Sequence, residues 1–407
     1  MKVRRSLMWL GICAFALLAG VVFSGSPAMG AGKEILIGAP ASLTGPLSAD
    51  GLDLKWSYEQ AVADWNKKGG IFIKSAGKKL PIKLIFADDE SEPSKIAAAI
   101  EKLIKIDKVD LMLGTHSATM SVPAINTSEK YQMLYHTTTH WPEMFRDQKA
   151  KWASVMFFSA GGASEVPFII FETMLKAEDR PKSVALLMED SPDGQAFGGG
   201  FRAHAKEHNV AFAVDEPWAI GAKDYSSMIL KMKAKNVDAI LLYGAPTDAI
   251  TLVRQVKEAK LNVKYMHGWK GTWTNEFAQA LGKDSNYQVC DGFWSEDYPY
   301  PGAKELGQRY TAKYNKRSLT AGAFYGTAQT LFMAIERAKS YDKAAVRDAL
   351  RNAEYKGTVM GDLKFDEIGL ALFSSIAAQW RDGKQMLFYP AVKGGYQLKL
   401  APPWGER

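Results

Sequence analysis

Residues 34–71 read EILIGAPASLTGPLSADGLDLKWSYEQAVADWNKKGGI. The apolar run at 35–39 has strand length, and a loop rich in Ser, Thr, Gly and Pro follows it. Leu54, Tyr58, Ala61, Val62 and Trp65 then recur at three-to-four spacing, which predicts a helix with one buried face. Ser48 and Asp50 both suit its N-cap. Gly69-Gly70 supplies a stop where positive φ costs little. A strand feeding a helix through a polar loop is the first half of a βαβ unit. Ligands of open α/β sheets bind beyond the carboxyl ends of the strands, so residues 43–51 mark the edge of a candidate site.

Upstream, Lys2, Arg4 and Arg5 precede an apolar run at 7–23, and small residues follow at 26–31. That order predicts a secretory signal peptide over residues 1–31, hence export to the periplasm. Losing three cations takes the net charge of the chain from +7 to +4. Basic and acidic residues are interspersed, whereas a nucleic-acid partner would call for a clustered basic face, so none is expected. The chain has 2 cysteines, Cys13 and Cys290. Cleavage would leave Cys290 alone, so no internal disulfide is expected and stability must come from packed cores.

The opening pattern repeats. Strands are expected at 81–87, 109–113, 133–136, 183–189, 210–214, 237–243 and 263–267. Helices are expected at 93–105, from after residue 119 to about 130, at 163–176, 195–208 and 225–235, and from after residue 248 to about 260. Two further helices at 322–339 and 343–352 precede strands at 374–380 and 386–389. Strands alternating with helices imply parallel sheets with right-handed crossovers. The pattern runs through two consecutive sets with no low-complexity tether between them.

At this point the chain resembles the periplasmic solute-binding proteins of ABC importers, in the leucine/isoleucine/valine-binding branch. The residues carrying the resemblance include Ile37-Gly38-Ala39, Thr44-Gly45-Pro46, Gly51, Ala61-Val62-Ala63-Asp64-Trp65-Asn66 and Lys68-Gly69-Gly70-Ile71. Asp88-Asp89, residues 109–114, Asp193-Gly194, Tyr243-Gly244 and Val359-Met360-Gly361 also fit. The resemblance implies an α/β protein of two Rossmann-like lobes with parallel sheets, joined by three crossovers around a ligand cleft. Residues 33–160 with 294–365 are expected to form the N-terminal lobe, and 161–293 with 366–407 the C-terminal lobe. It further implies a protein that is not an enzyme, binds a small molecule without a cofactor or metal, and presents its closed form to the membrane permease subunits of an ABC importer. A monomer is expected.

Carried over position by position, the resemblance also implies a site. Asp50 stands where the family places an aromatic residue over the ligand. Ser117, Ala118 and Thr119, beside His116, match the hydroxyl-bearing loop that holds a ligand carboxylate at a helix N-terminus. Thr138, Thr139 and His140 match a second such loop. Gly162 and Ala163 fall where amino-acid binders often carry an acid, and Asp193 where an aromatic is frequent. Tyr243 closes its own strand at the cleft. Trp269 and Lys270 match the position of the glutamate that pairs the α-ammonium, and here it is Lys270.

A buried ammonium without a carboxylate is costly. Ala163 and Lys270 remove both expected acids, while Lys270, His116, His140 and the threonines make a donor-rich site. The first ligand class expected is therefore a small organic acid, aromatic ones included, and the second an amino acid or amide. Trp56, Trp141 and Trp269 are candidates for stacking on a flat ligand. Other readings are a ligand sensor for a membrane receptor and an exported hydrolase using Ser117 or His140. Asp88-Asp89-Glu90 reads as a solvated strand end that caps the next helix, and His204 with His208 as a wet helix face.

Overall fold

β1 (Ile35–Ala41) is buried along nearly its whole length, because both of its neighbours are parallel strands and helices cover both faces. The computed structural model describes Lys33–Arg407; the signal peptide expected at 1–31, with Cys13, lies outside the described residues. From β1 the chain continues through α1 (Ser48–Lys67), the small hairpin β2 (Ile71–Ile73) and β3 (Lys78–Leu80), β4 (Ile82–Asp88) and α2 (Ile96–Lys105). It completes its first pass with β5 (Leu111–Leu113), α3 (Ala118–Lys130), β6 (Tyr135–Thr137), α4 (Pro142–Gln148) and β7 (Ala153–Met156).

The second pass is α5 (Ala160–Thr173), β8 (Val184–Glu189), α6 (Pro192–Glu207), β9 (Phe212–Trp218), α7 (Ser226–Ala234) and β10 (Ala239–Gly244). It ends with α8 (Pro246–Glu258), β11 (Tyr265–Lys270), α9 (Asn275–Leu281) and β12 (Val289–Gly292). A third pass runs through α10 (Ala303–Tyr314), α11 (Ala321–Ala338), α12 (Lys343–Leu350), β13 (Ala353–Thr358), β14 (Gly361–Phe365) and β15 (Leu370–Ala371). A last hairpin follows, β16 (Ile376–Arg381) and β17 (Lys384–Tyr389).

These strands form an 8-stranded sheet, ordered β13-β14-β15-β7-β6-β5-β1-β4, and a 7-stranded sheet, ordered β17-β16-β12-β11-β10-β8-β9. The first-pass and second-pass strands pair in parallel, and the later hairpins add antiparallel edges. The protein is thus an α/β molecule of two lobes. The chain passes between the sheets after β7, after β12 and after β15. β15 pairs with β7, so the first sheet reaches Ala371.

The third pass returns to the first lobe because α1 offers it specific partners. The Arg309 guanidinium forks onto Asp64 at 3.0 and 2.9 Å, and the Tyr325 hydroxyl donates to Asp64 Oδ2 at 2.8 Å. Trp65 donates to Glu336 Oε1 at 3.0 Å and meets Phe332 edge-on. Leu54, Tyr58 and Ala61 on the same helix are fully buried, each large side chain contributing about 1.5–3 kcal/mol of apolar burial.

Two local expectations fail. The residue before α1 is Leu47, with no side-chain cap, so neither Ser48 nor Asp50 caps it. Asp50 lies instead in the first turn, where the helix dipole favours an acid. Nor does the acidic stretch 88–90 cap α2, whose cap residue Lys95 makes no side-chain capping bond. Asp88 accepts from the Leu43 and Thr44 amides and from the Thr44 hydroxyl. Asp89 is fully buried, taking the Ser42 hydroxyl at 2.6 Å, the Thr115 hydroxyl at 2.8 Å and the Ser91 amide at 3.0 Å. The acids hold the loop after β1 in place. Gly51 is required there, since a Cβ would lie 1.9 Å from the Ser42 carbonyl oxygen.

Candidate functional site

The carboxyl ends of both parallel sheets open onto one cavity of about 490 Å³, a size typical of small-molecule sites. The first lobe contributes Leu47 and Asp50 from the start of α1, and His116, Ser117, Ala118 and Thr119 from the turn into α3. It also contributes Thr139 and Trp141 after β6, and Phe157 and Phe158 after β7. The second lobe contributes Asp193 and Phe197 from α6, Tyr243 from β10, Lys270 from β11, and Trp273, Asp291 and Phe293.

The end of α3 faces this cavity without a cap. Ser117, just before it, makes no capping bond, and the first turn contains no acid. The amides of a helix's first turn have no partner inside the helix, so this end suits a carboxylate. Ser117 stands at φ 74°, and its amide donates to the Thr139 hydroxyl at 3.0 Å. Thr139 and Lys270 also sit at positive φ, 55° and 70°. Non-glycine residues held there store strain, which accumulates at binding sites. His116 Nε2 lies 3.4 Å from Asp50 Oδ2, while its buried Nδ1 has no partner.

The second lobe overturns the reading of Lys270 as a cation left free for the ligand. Its ammonium is in short ion-paired contact with Glu189, whose side chain is 0% exposed. The Ser191 hydroxyl and the Ala245 amide complete the environment of that carboxylate, at 2.8 and 3.1 Å. Glu189 is the residue the sequence reading missed. It was visible only as the last residue of an apolar strand, with no spacing to link it to a lysine on another strand. Asp193 does not pair with Lys270; it accepts from Trp141 Nε1 at 3.2 Å, a bond that joins the two lobes.

Several expected residues lie elsewhere. Trp269 is fully buried in the second lobe, stacked on His267 at 3.8 Å, because strand alternation turns it away from the face that Lys270 occupies. Ala163 is buried inside the lobe, and the Gly162 amide is spent on the Ser159 cap of α5. Thr138 is fully buried outside the cavity lining. His140 bonds Gln148 at 2.8 Å, and burial pushes its pKa down to about 4, so it is neutral at ordinary pH. It does not meet Ser117, which removes the base an acyl-transfer reading needs. Trp56 packs edge-on against Tyr310 inside the first lobe. Only Trp141 of the three stacking candidates lines the cavity, in contact with Phe157, Phe158 and Phe197. Those phenylalanines, with Trp273 and Phe293, make the wall aromatic. The sequence signal for it was weak, since each aromatic ends a separate element.

A model of the family described as periplasmic binding protein matches residues 34–384. Among curated relatives, Leu/Ile/Val-binding protein homolog 3 of Brucella melitensis is 27% identical over 90% of this chain and 98% of its own. Leu/Ile/Val-binding protein homolog 2 of Brucella abortus is 25% identical over 93% of this chain and 97% of its own. Among solved structures, a putative branched-chain amino acid ABC transporter protein from Silicibacter pomeroyi superposes with a TM-score of 0.78 at 18% identity, covering 90% of this chain and 99% of that one. A branched-chain amino acid transporter substrate-binding protein from Streptococcus pneumoniae, in complex with isoleucine, gives 0.73 at 21% identity, covering 87% and 98%. With the match spanning both lobes and the cavity between them, the chain belongs to the periplasmic binding protein family of solute-binding, non-enzymatic proteins.

Proposed function

We propose that the protein is the periplasmic substrate-binding component of an ABC importer, and that its cavity takes a small solute carrying both a carboxylate and an amine on an apolar or aromatic body. The observation that carries this reading is the Lys270–Glu189 ion pair. An unpaired Lys270 favoured a simple organic acid. With its charge neutralised by Glu189, the second-lobe face keeps Asp193 and Asp291 as acids in excess. The uncapped α3 end stands across the cavity as the carboxylate seat. Such a division of charge suits a zwitterion, and the aromatic wall suits an apolar side chain. The names of the relatives, which refer to leucine, isoleucine and valine, point the same way.

Mass spectrometry of small molecules released on denaturing freshly purified protein tests the reading. It expects an amine-bearing acid at close to one per chain. Release of a carboxylate without an amine would overturn it.

A further inference from the structure

Among the described residues, the cavity lining holds one buried carboxyl oxygen without a hydrogen-bond partner in the protein. Asp291 ends β12, next to the point where the chain crosses back to the first lobe. It is 2% exposed, and its Oδ1 has no hydrogen-bond partner. Buried polar atoms are nearly always paired, and a carboxylate is among the most expensive to leave alone. The other acids that line the cavity are engaged. Asp193 takes the Trp141 indole N–H, and Asp50 faces His116. Lys270, the one lysine or arginine in the lining among the described residues, is turned to Glu189.

We infer that Asp291 is the specificity-determining residue that receives the ligand's amine, its orphan oxygen accepting an N–H that no protein group supplies. This assignment rests on the amine-bearing reading given above. Its position supports it. β12 pairs with β11 beside Gly268, so Asp291 stands at the same sheet edge as Lys270. Phe293, two residues on, also lines the cavity and sits edge-on to Trp273 and Phe157. An amine at Asp291 therefore has aromatic surface beside it for the ligand's apolar part. Burial pushes the Asp291 carboxyl well above the usual carboxylate range, against the pull of the Asp291 and Lys270 backbone amides. An ammonium within hydrogen-bond reach favours the ionised form, so ligand and residue satisfy each other.

The test is calorimetric titration of wild type, Asp291→Asn and Asp291→Ser with L-phenylalanine and L-leucine, and with their des-amino counterparts 3-phenylpropanoate and 4-methylpentanoate. The inference expects the variants to lose roughly 30-fold or more in affinity for the amino acids, with the des-amino acids bound as before or better. It also expects the unliganded Asn variant to melt no lower than wild type, because the carboxyl it replaces is unpaired. A purely structural Asp291 would lower that melting temperature and weaken all four probes alike, which overturns the assignment. Variants that bind the amino acids as tightly as wild type overturn it too, and leave the amine-bearing reading standing. A wild type that binds the des-amino acids best, or none of the four, overturns that reading and the assignment with it.

Discussion

Removing Lys270 would leave Glu189 charged in a place without water. Breaking a buried pair costs about 3–5 kcal/mol. Lys270's side chain is 36% exposed, so Lys270→Ala should cost somewhat less, about 2–3 kcal/mol, measured by urea unfolding without ligand. Lys270→Met combined with Glu189→Gln should recover most of the loss, since neither charge is then stranded. Unchanged stability in Lys270→Ala would show that Glu189 does not depend on the lysine. At this scale the sequence was informative where a residue's neighbours along the chain decide its role. Ser117 and Thr119 are at the cavity because they start a helix after a strand. Lys270 is at the cavity because it ends one. It was uninformative where the partner comes from another strand. Nothing in the sequence links Glu189 to Lys270, or leaves Asp291 visibly unpaired.

α5 and α6 are pinned together by two histidines that read from the sequence as a wet face. His204 Nε2 bonds the Gly161 carbonyl at 3.1 Å, and His208 stacks on Phe168 while bonding Glu172 at 2.8 Å. Glu172, and Glu165 behind it, raise the His208 pKa above its ordinary value, and the carboxyl end of α6 favours the same charge. The sign follows from linkage. A pKa raised on folding gives stability that is fully present below the unfolded value, near 6.5, and is lost as pH rises through the folded one. Melting temperature should therefore fall from about pH 6.5 upward, and His208→Gln should flatten that slope. An identical slope in the variant would refute the contribution. Elements were legible where a period ran long enough, as in α1, or in α2 with Ile96, Ala99, Ile100 and Leu103 buried. α4, α9 and β12 are too short for a period to declare itself. α10 escaped notice because its buried residues, among them Leu306 and Tyr310, are spaced between charged ones. The hairpin β13–β14 was missed because its strands are half exposed at a sheet edge.

At the scale of the molecule, three chain crossings among the described residues join lobes whose facing edges share one cavity. The Trp141–Asp193 hydrogen bond runs from one lobe to the other between two residues that line that cavity. A ligand that touches both faces should hold the lobes together by hinge movement. Small-angle scattering should show a smaller radius of gyration with saturating ligand, and Trp141→Phe, which removes the bridging N–H, should require more ligand to reach it. No change of radius with ligand would count against closure. The two-lobe arrangement was legible because the βα period repeats through two sets. The return of the third pass to the first lobe was implied only by family resemblance, since the contacts that enforce it, Arg309 to Asp64 and Tyr325 to Asp64, lie far apart in the chain.

The account turns on a cavity that reads a carboxylate with one lobe and an amine with the other. The most direct measurement is titration of the wild-type protein with L-phenylalanine, phenylalaninamide and 3-phenylpropanoate, followed by calorimetry and by the rise in melting temperature that binding to the folded state produces. The amino acid should bind tightest, with the amide weakened by loss of the α3 contact and the des-amino acid by loss of the amine. If 3-phenylpropanoate binds as tightly as phenylalanine or more so, the division of charge proposed for the two lobes is wrong.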